Sequence, residues 1–285
     1  MRLLCTGGTG SFGKAFIRRA LTAGETESGV RSWDAVISYS RDEVKASQLT
    51  EQLGSYAPFK AFIGDVRDPA RLKIAMRGVH TVIHAAALKR VDVGAYSPSE
   101  IIATNINGTM NVVNAAIEAG VKCVVVLSSD KAVEATNIYG ASKYCAEVYA
   151  VQANSYGVPS GTSIAAVRYG NILGSRGSVI RIWRDQLRRG EPITITDPRM
   201  TRFVMTIEDA ARLVEFALRH MRGGEVFVPD LAAVNIEELA LAAVGNVAKT
   251  ITSIRPGGEK IAESLLNSEE PSRTVKLSGN YVVLP

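Results

Sequence analysis

The sequence predicts an α/β architecture, a doubly wound parallel sheet with a smaller C-terminal substrate lobe, and three observations predict it. Short runs that are apolar on both faces alternate with longer helical patterns from the first residue to about residue 170. The first of these runs leads straight into a glycine-rich turn, TGGTGSFG, at residues 6–13. Beyond about residue 170 the rhythm breaks into loops. Strands apolar on both faces, each followed by a helix, mark a parallel sheet covered on both sides.

The elements follow in order. RLLCT precedes the helical GKAFIRRALTAG, WDAVISYS precedes RDEVKASQLTEQLG, and KAFIGD precedes PARLKIAMRG. HTVIHAA precedes SEIIATNINGTMNVVNAAIEAG, in which residues 104–120 read as a long helix with Asn105, Asn107, Asn111 and Asn114 as its polar positions. VKCVVVLSS precedes a helix holding Tyr139 and Lys143, and GTSIAAVRYG supplies a sixth strand. TAGETESGVRSWDAV, between the first helix and the second strand, is longer than a connection needs and reads as a surface loop. GNILGSRGS and TDPRMTRF read as loops of the lobe. Residues 1–168 form the dinucleotide-binding domain, with 202–223 returning to it, and 169–201 with 224–285 form the lobe.

Composition narrows the function classes. The net charge of +5 is mild, aromatics are 6%, and no run of five like charges occurs, so nucleic acid is not an expected partner. No apolar stretch approaches the ~18 residues of a membrane span. The N-terminus opens directly on a strand rather than on a targeting signal. Cys5, Cys123 and Cys145 are an odd number without C-x-x-C spacing, read as reduced buried thiols of a cytoplasmic protein. His80, His84 and His220 have no metal-ligand spacing, and no metal is assigned.

Two sites carry chemistry. In TGGTGSFG, Gly7, Gly10 and Gly13 lie three apart between a strand and a helix. This is the setting in which glycine lets the backbone approach a pyrophosphate and amide N–H groups meet its charge. Thr9, Ser11 and Phe12 complete the loop, and Ala85 and Ala86 after the fourth strand face the same cofactor. The second strand ends in YSRDE, with Ser40 and Arg41 where an NAD site carries a carboxylate. A hydroxyl and a guanidinium suit a 2′-phosphate, so NADP is expected over NAD, although Arg41 also suits a solvated helix start beside Asp42. In GDVRD, Asp65 and Val66 are placed for an adenine edge and face, and Asp68 for a helix cap before Pro69. The second site is SSDKAVEATNIYGASK, residues 128–143. Tyr139 and Lys143 share one helix face, where a lysine cation favours a phenolate able to take a hydroxyl proton.

TGGTGSFGKAF, YSRDE, GDVRD, HAAALKRV, TNINGT, SSDKAVEATNIYGASK, VRYGNILGSRGSV, DPRMTRF, GGEVFVP and IRPGGEK occur in that order. Together they resemble the inverting UDP-N-acetylglucosamine 4,6-dehydratases. These are extended short-chain dehydrogenases of Rossmann type, acting in pseudaminic-acid and related surface-sugar synthesis. The resemblance spans essentially the whole chain. It implies tightly bound NADP regenerated at each turnover, a UDP-N-acetylglucosamine substrate and a homo-oligomer, dimer or hexamer. It implies that Tyr139 and Lys143 support oxidation at carbon 4, that Asp130 donates a proton to the leaving carbon 6 hydroxyl, and that Lys131 is the base at carbon 5. A lysine base must be partly neutral, which requires a lowered pKa.

Further residues suit a nucleotide-sugar. Lys89 is placed where cofactor and substrate meet, and Ser128 and Ser129 end the fifth strand beside carbon 4 of the sugar. Asn171, Arg176, Thr201, Arg202 and Arg255 are candidates for the diphosphate side. Arg181, Arg184, Arg188 and Arg189 lie at helical spacing and read as a solvated face. The chain departs from the family in RPGGEK, where Gly258 is extra, and in IAES, where the usual histidine is missing. A UDP-N-acetylhexosamine 4-epimerase is the nearest rival reading, opposed by the Asp130–Lys131 pair. A non-catalytic NADP-sensing regulator is the rival of another class, opposed by the retained Tyr139 and Lys143.

Overall fold

The computed structural model describes residues 1–22, 33–175, 177–253 and 258–285. Arg176, Arg255 and most of the long connection expected between the first helix and the second strand lie outside the described residues.

The strands are β1 (Arg2–Thr6), β2 (Ala35–Ser40), β3 (Phe59–Ile63), β4 (Thr81–His84), β5 (Cys123–Leu127), β6 (Ser163–Val167), β7 (Asn171–Ile172), β8 (Ile193–Ile195), β9 (Thr201–Met205), β10 (Val226–Pro229), β11 (Ala233–Asn235), β12 (Lys249–Ile251), β13 (Thr274–Leu277) and β14 (Asn280–Val283). The helices are α1 (Ser11–Thr22), α2 (Glu43–Leu53), α3 (Pro69–Ala75), α4 (Val91–Tyr96), α5 (Pro98–Ile101), α6 (Gly108–Glu118), α7 (Ile138–Gln152), α8 (Asn154–Gly157), α9 (Val179–Arg188), α10 (Ile207–His220) and α11 (Ile236–Val244). The helix expected over 104–120 begins earlier and in pieces, because a π-helical stretch at Ile102–Asn107 joins α5 to α6.

Among the described residues nine strands form one sheet, in the order β13-β14-β10-β6-β5-β4-β1-β2-β3. The pairs from β3 across to β10 are parallel. The chain runs outward from β1 to β3, then returns to β4 on the other side of β1. That reversal opens a crevice beyond the carboxyl ends of β1 and β4, where ligands of doubly wound sheets bind. Side-chain alternation along β1 explains why its run is continuously apolar. Leu3 and Cys5 enter a core with Phe16, Ile17, Val214 and Phe216 from α1 and α10. Leu4 enters the opposite core with Leu72, Val112 and Ala150 from α3, α6 and α7.

One boundary of the sequence reading changes. Residues 226–229 and 274–283, grouped there with the lobe, pair within the main sheet. β13 and β14 form an antiparallel hairpin through Ser278 (φ 47°) and Gly279 (φ 78°), the left-handed pair that a two-residue hairpin turn demands. Short strands that no helix follows lack the βα rhythm by which the other strands were recognised. TDPRMTRF likewise ends in a strand, since Thr201–Met205 is β9 and pairs with β7 and β11. The lobe has its own small core of Ile180, Trp183, Ile193, Ile195, Met200 and Ile236. Arg181, Arg184, Arg188 and Arg189 are exposed on and just after α9, as expected for a solvated face. Cys5 is buried, but Cys145 is exposed on α7, so burial does not extend to all three thiols. No helix among the described residues is long and apolar enough to cross a membrane.

Candidate active site

The glycine loop is built around close approaches that only glycine permits. Gly7 has φ +67°, and a Cβ there would lie 2.8 Å from the backbone of Ala85 and Ala86. A Cβ on Gly13 would meet Gly7 O at 2.5 Å and Gly8 Cα at 2.6 Å, so the missing side chain is what seats α1 against the turn. Gly7 N donates to Tyr39 O and Gly10 N to Gly7 O, each at 2.8 Å, fixing the loop to β2 and to itself.

The loop forms one end of a cleft of about 730 Å³ lined by Gly7, Thr9, Gly10, Ser40, Arg41 and Lys45, with Val66, Ala85, Ala86 and Lys89 further along it. That volume is of the size that small-molecule and cofactor clefts occupy. With the glycine cradle, the cleft fits a dinucleotide. Asp42 caps α2 by accepting from Lys45 N at 2.9 Å, and Arg41, Asp42 and Lys45 all line the cleft. Arg41 Nη1 lies 3.6 Å from Asp65 Oδ2. Burial raises the Asp65 pKa, but hydrogen bonds from Arg67 outweigh it and hold the carboxyl below its usual value. Asp65 is therefore engaged by Arg67 at 2.7 Å, while its neighbour Val66 lines the cleft. Asp68 caps α3 through Arg71 N. Ser11, Phe12 and Gly13 open α1, where Phe12 is buried and stacks on Tyr169 with ring centres 6.3 Å apart.

The loop after β4 is locked from behind by a residue to which sequence reasoning gave no role. Asn105 accepts from Leu88 N at 2.8 Å and donates to Leu88 O and Ser142 Oγ, both at 2.9 Å. Its place within an apolar helical run was the available signal. His84 bridges Thr6 Oγ1 at 2.7 Å and Thr109 Oγ1 at 2.9 Å, and burial pushes its pKa down to about 3. His84 thus acts as a neutral strut. No group of three or more His, Cys, Asp or Glu able to hold a metal occurs among the described residues.

Beyond β5 the chain turns through Ser128 and Ser129 into a single 3₁₀ turn, Asp130–Ala132, which packs against α7. Asp130 is fully buried; its Oδ1 accepts from Ser129 Oγ at 2.8 Å and Lys131 Nζ at 3.0 Å. Asp130 Oδ2 and Ser128 Oγ are buried without a hydrogen-bond partner among the described residues. Such groups are costly to leave unsatisfied. Asn137 caps α7 by accepting from Gly140 N at 2.9 Å, placing Tyr139 in the first turn of α7 beside the Asp130 turn.

Two electrostatic expectations are corrected here. The lysine charge that bears on the Tyr139 phenol is that of Lys131; the Lys143 ammonium donates to the Leu127 carbonyl, and burial lowers its pKa to about 8. Tyr139 is held above its usual pKa by burial, opposed by the Lys131 charge and reinforced by Asp130. Lys131 is not lowered. Burial favours its neutral form, but Asp130 and Glu263 outweigh this and raise it. No local pattern pointed to Glu263 as a partner, because it follows Lys131 by more than a hundred residues. Its carboxylate is 3.4 Å from Lys131 Nζ, and Asn171 Oδ1 accepts from the same ammonium at 3.3 Å.

Of the other substrate candidates, Lys89 Nζ reaches Ser175 Oγ at 3.4 Å, bridging from the β4 loop to the lobe. Thr201 pairs with Ala262, and Arg202 is buried with Nη1 donating to Thr201 O at 2.7 Å and Ile261 O at 3.1 Å. That nitrogen of Arg202 braces the C-terminal segment against β9 rather than facing an open diphosphate site.

A parallel sheet, a glycine cradle at its switch point and a Tyr-x-x-x-Lys helix packed on α4 and α5, which line the cleft, define a Rossmann-type enzyme of the extended short-chain dehydrogenase class. The chain belongs to the polysaccharide biosynthesis protein family, whose model matches residues 3–285. It is 40% identical over 284 residues to a UDP-N-acetylglucosamine 4,6-dehydratase (inverting) of Campylobacter jejuni, covering 99% of this chain and 82% of the relative. It is also 40% identical over 283 residues to a UDP-glucose 4-epimerase of Rickettsia typhi, covering 98% and 81%. Among solved structures, Pen from Bacillus thuringiensis superposes with TM-score 0.92 at 33% identity, covering 99% of this chain and 87% of that one. The dTDP-glucose 4,6-dehydratase DesIV from Streptomyces venezuelae, with NAD bound, superposes with TM-score 0.82 at 25% identity, covering 93% and 88%.

Proposed function

We propose that this protein dehydrates UDP-N-acetylglucosamine to a UDP-4-keto-6-deoxy-N-acetylhexosamine, with NADP as its nicotinamide cofactor and inversion at carbon 5. The observation that carries the reading is the Asp130–Lys131 turn set against Tyr139, with Ser128 Oγ and Asp130 Oδ2 buried and unpartnered beside it. The named relative from Campylobacter jejuni supports the reaction class and the substrate.

Gly7, Thr9, Gly10, Arg41, Val66 and Ala85 would hold the cofactor, which would supply reversible hydride acceptance between carbon 4 and carbon 6. The chain's own residues move the protons. Tyr139 takes the proton of the carbon 4 hydroxyl, and Ser128 orients that hydroxyl. The resulting ketone acidifies the carbon 5 hydrogen, which Lys131 removes as a proton and relays through Asp130 to the carbon 6 hydroxyl, which leaves as water. A proton delivered to the opposite face of carbon 5 then accompanies hydride return at carbon 6. Because two carboxylates favour the Lys131 ammonium, the amine able to act as base is a minor species at neutral pH. Elimination should accelerate as pH rises toward the lysine range. The Arg41 side of the cleft supports NADP, because a guanidinium suits a 2′-phosphate; Lys45 lines it too but is ion-paired with Asp42. The same reading carries our further proposals of a two-part division between cofactor and nucleotide-sugar regions, a cytoplasmic homo-oligomer, and a role in pseudaminic-acid-like surface-sugar synthesis.

A second reading, a 4-epimerase, is favoured by the likeness to the Rickettsia typhi protein. Proton NMR of UDP-N-acetylglucosamine with the protein in deuterated water separates the two. Dehydration yields a carbon 6 methyl signal and deuterium at carbon 5, whereas epimerisation yields a changed carbon 4 coupling and no methyl. An unchanged substrate spectrum with cofactor-loaded protein would refute both.

A further inference from the structure

Lys131 is gripped from a second place in the chain. Glu263 follows Gly258 in the C-terminal segment, and its side chain is only 4% exposed. One carboxylate oxygen lies 3.4 Å from Lys131 Nζ and the other 2.9 Å from Lys260 Nζ. Lys260 in turn donates to Val133 O at 2.6 Å, immediately after the Asp130 turn. The segment is itself fastened to both sides of the site. Asn137 Nδ2 donates to Gly258 O at 3.2 Å, and Thr201 N donates to Ile261 O at 2.9 Å. A buried carboxylate is tolerated only when paired, and this one is paired with two lysines that both contact the same loop.

We propose that Glu263 is a positioning residue for the elimination chemistry, holding the Lys131 side chain in place and setting the pH at which it changes charge. The inference rests on the assignment of Asp130 and Lys131 to elimination. The groups facing Lys131 are Asp130 from its own turn, Tyr139 from α7, the neutral Asn171 from β7, and Glu263. Lys260 and Arg202 face Glu263 and hold it ionised, countering its burial together with Lys131. With Glu263 neutralised, Asp130 is left as the carboxylate beside Lys131, and the ammonium gives up its proton at lower pH.

The test follows carbon 5 deuterium exchange and product formation from UDP-N-acetylglucosamine between pH 6 and 10, in the cofactor-loaded full chain. Glu263→Gln preserves size and should move the rising limb to lower pH by about one unit, as losing an opposite charge at this distance predicts. Glu263→Asp keeps the charge but withdraws it by one methylene, and should move the limb less. A scaffolding role alone would lower rates equally at every pH or lower the melting temperature. An unmoved limb in whichever of the two variants folds therefore overturns the proposal. Lys131→Met separates the two layers of the argument. Loss of exchange there, with an unmoved limb in the Glu263 variants, sinks the role of Glu263 alone. Full exchange in folded Lys131→Met sinks the assignment of Lys131 and this inference with it.

Discussion

Arg41 is the residue at which the proposed choice of NADP over NAD is tested. It stands 3.6 Å from Asp65, whose carboxylate is already taken by Arg67 at 2.7 Å, so the Arg41 guanidinium is only loosely held and keeps charge for a ligand. A 2′-phosphate competes for such a guanidinium through bidentate, charge-assisted bonds, and a bare ribose hydroxyl does not. Arg41→Ala should weaken NADP about tenfold or more, roughly 1.4 kcal/mol, and leave NAD nearly unchanged. Titration of both cofactors by calorimetry decides it, and equal losses would remove Arg41 from phosphate recognition. His84 gives a second residue-scale prediction. Its pKa is about 3 in the fold against the ordinary 6.5, so the unfolded chain takes up the proton first as pH falls. This contribution to stability is complete above pH 6.5 and declines by about 1.4 kcal/mol per pH unit down to about pH 3. Urea midpoints of wild type and His84→Gln should converge as pH drops from 6.5 toward 4. Parallel curves would show that His84 does not drive acid lability.

At the scale of elements, the strand-turn-helix from β1 to α1 was legible because every local signal agreed. The run is apolar, the glycines fall at the turn, and the helix follows at once. The Asp130 turn and α7 were legible as chemistry because hydroxyls, acid, lysines and tyrosine crowd into one short stretch. What was not legible is what the stretch is packed against. Lys143 shares a helix face with Tyr139, yet its long stem carries the ammonium to the end of β5, an outcome that i,i+4 spacing does not encode. IAES stood out only for its missing histidine, and only the docking of its segment on β9 brings Glu263 to Lys131. The glycine loop allows a sharp element-scale test. Gly13→Ala would place a Cβ 2.5 Å from Gly7 O, so α1 must move off the turn and cofactor affinity should fall by at least about tenfold. Gly120→Ala is the control. That glycine ends α6 at φ +67°, and a Cβ there would meet nothing within 4 Å among the described residues, so alanine there should cost about 1 kcal/mol of stability and leave cofactor affinity alone. If both variants bind cofactor like wild type, the close approach at Gly13 does not shape the site.

Across the whole molecule, a chain end must be held to a helix and a strand far from it in sequence, and a buried ion network does this. Arg168, at the end of β6, is 1% exposed; it pairs with Glu147 of α7, with Glu270 at 2.8 Å, and donates to Leu265 O at 2.7 Å. Burial would lower the Arg168 pKa, but Glu270 and Glu147 outweigh it and keep the guanidinium charged. The segment it anchors also carries Glu263, so the network keeps the C-terminal part of the site in register with the Asp130 turn. Removing the arginine alone strands two buried carboxylates, a change that typically costs about 3–5 kcal/mol. Arg168→Met should therefore lower the urea midpoint sharply. Arg168→Met combined with Glu147→Gln and Glu270→Gln removes the stranded charges and should recover much of that loss. Elimination should remain impaired in the triple variant even where stability returns, because nothing then anchors the segment through Arg168. Recovery of stability together with wild-type carbon 5 exchange would show that the segment holds its place without the network. Failure to recover stability would mean that Arg168 contributes more through Leu265 O and packing than through its charge.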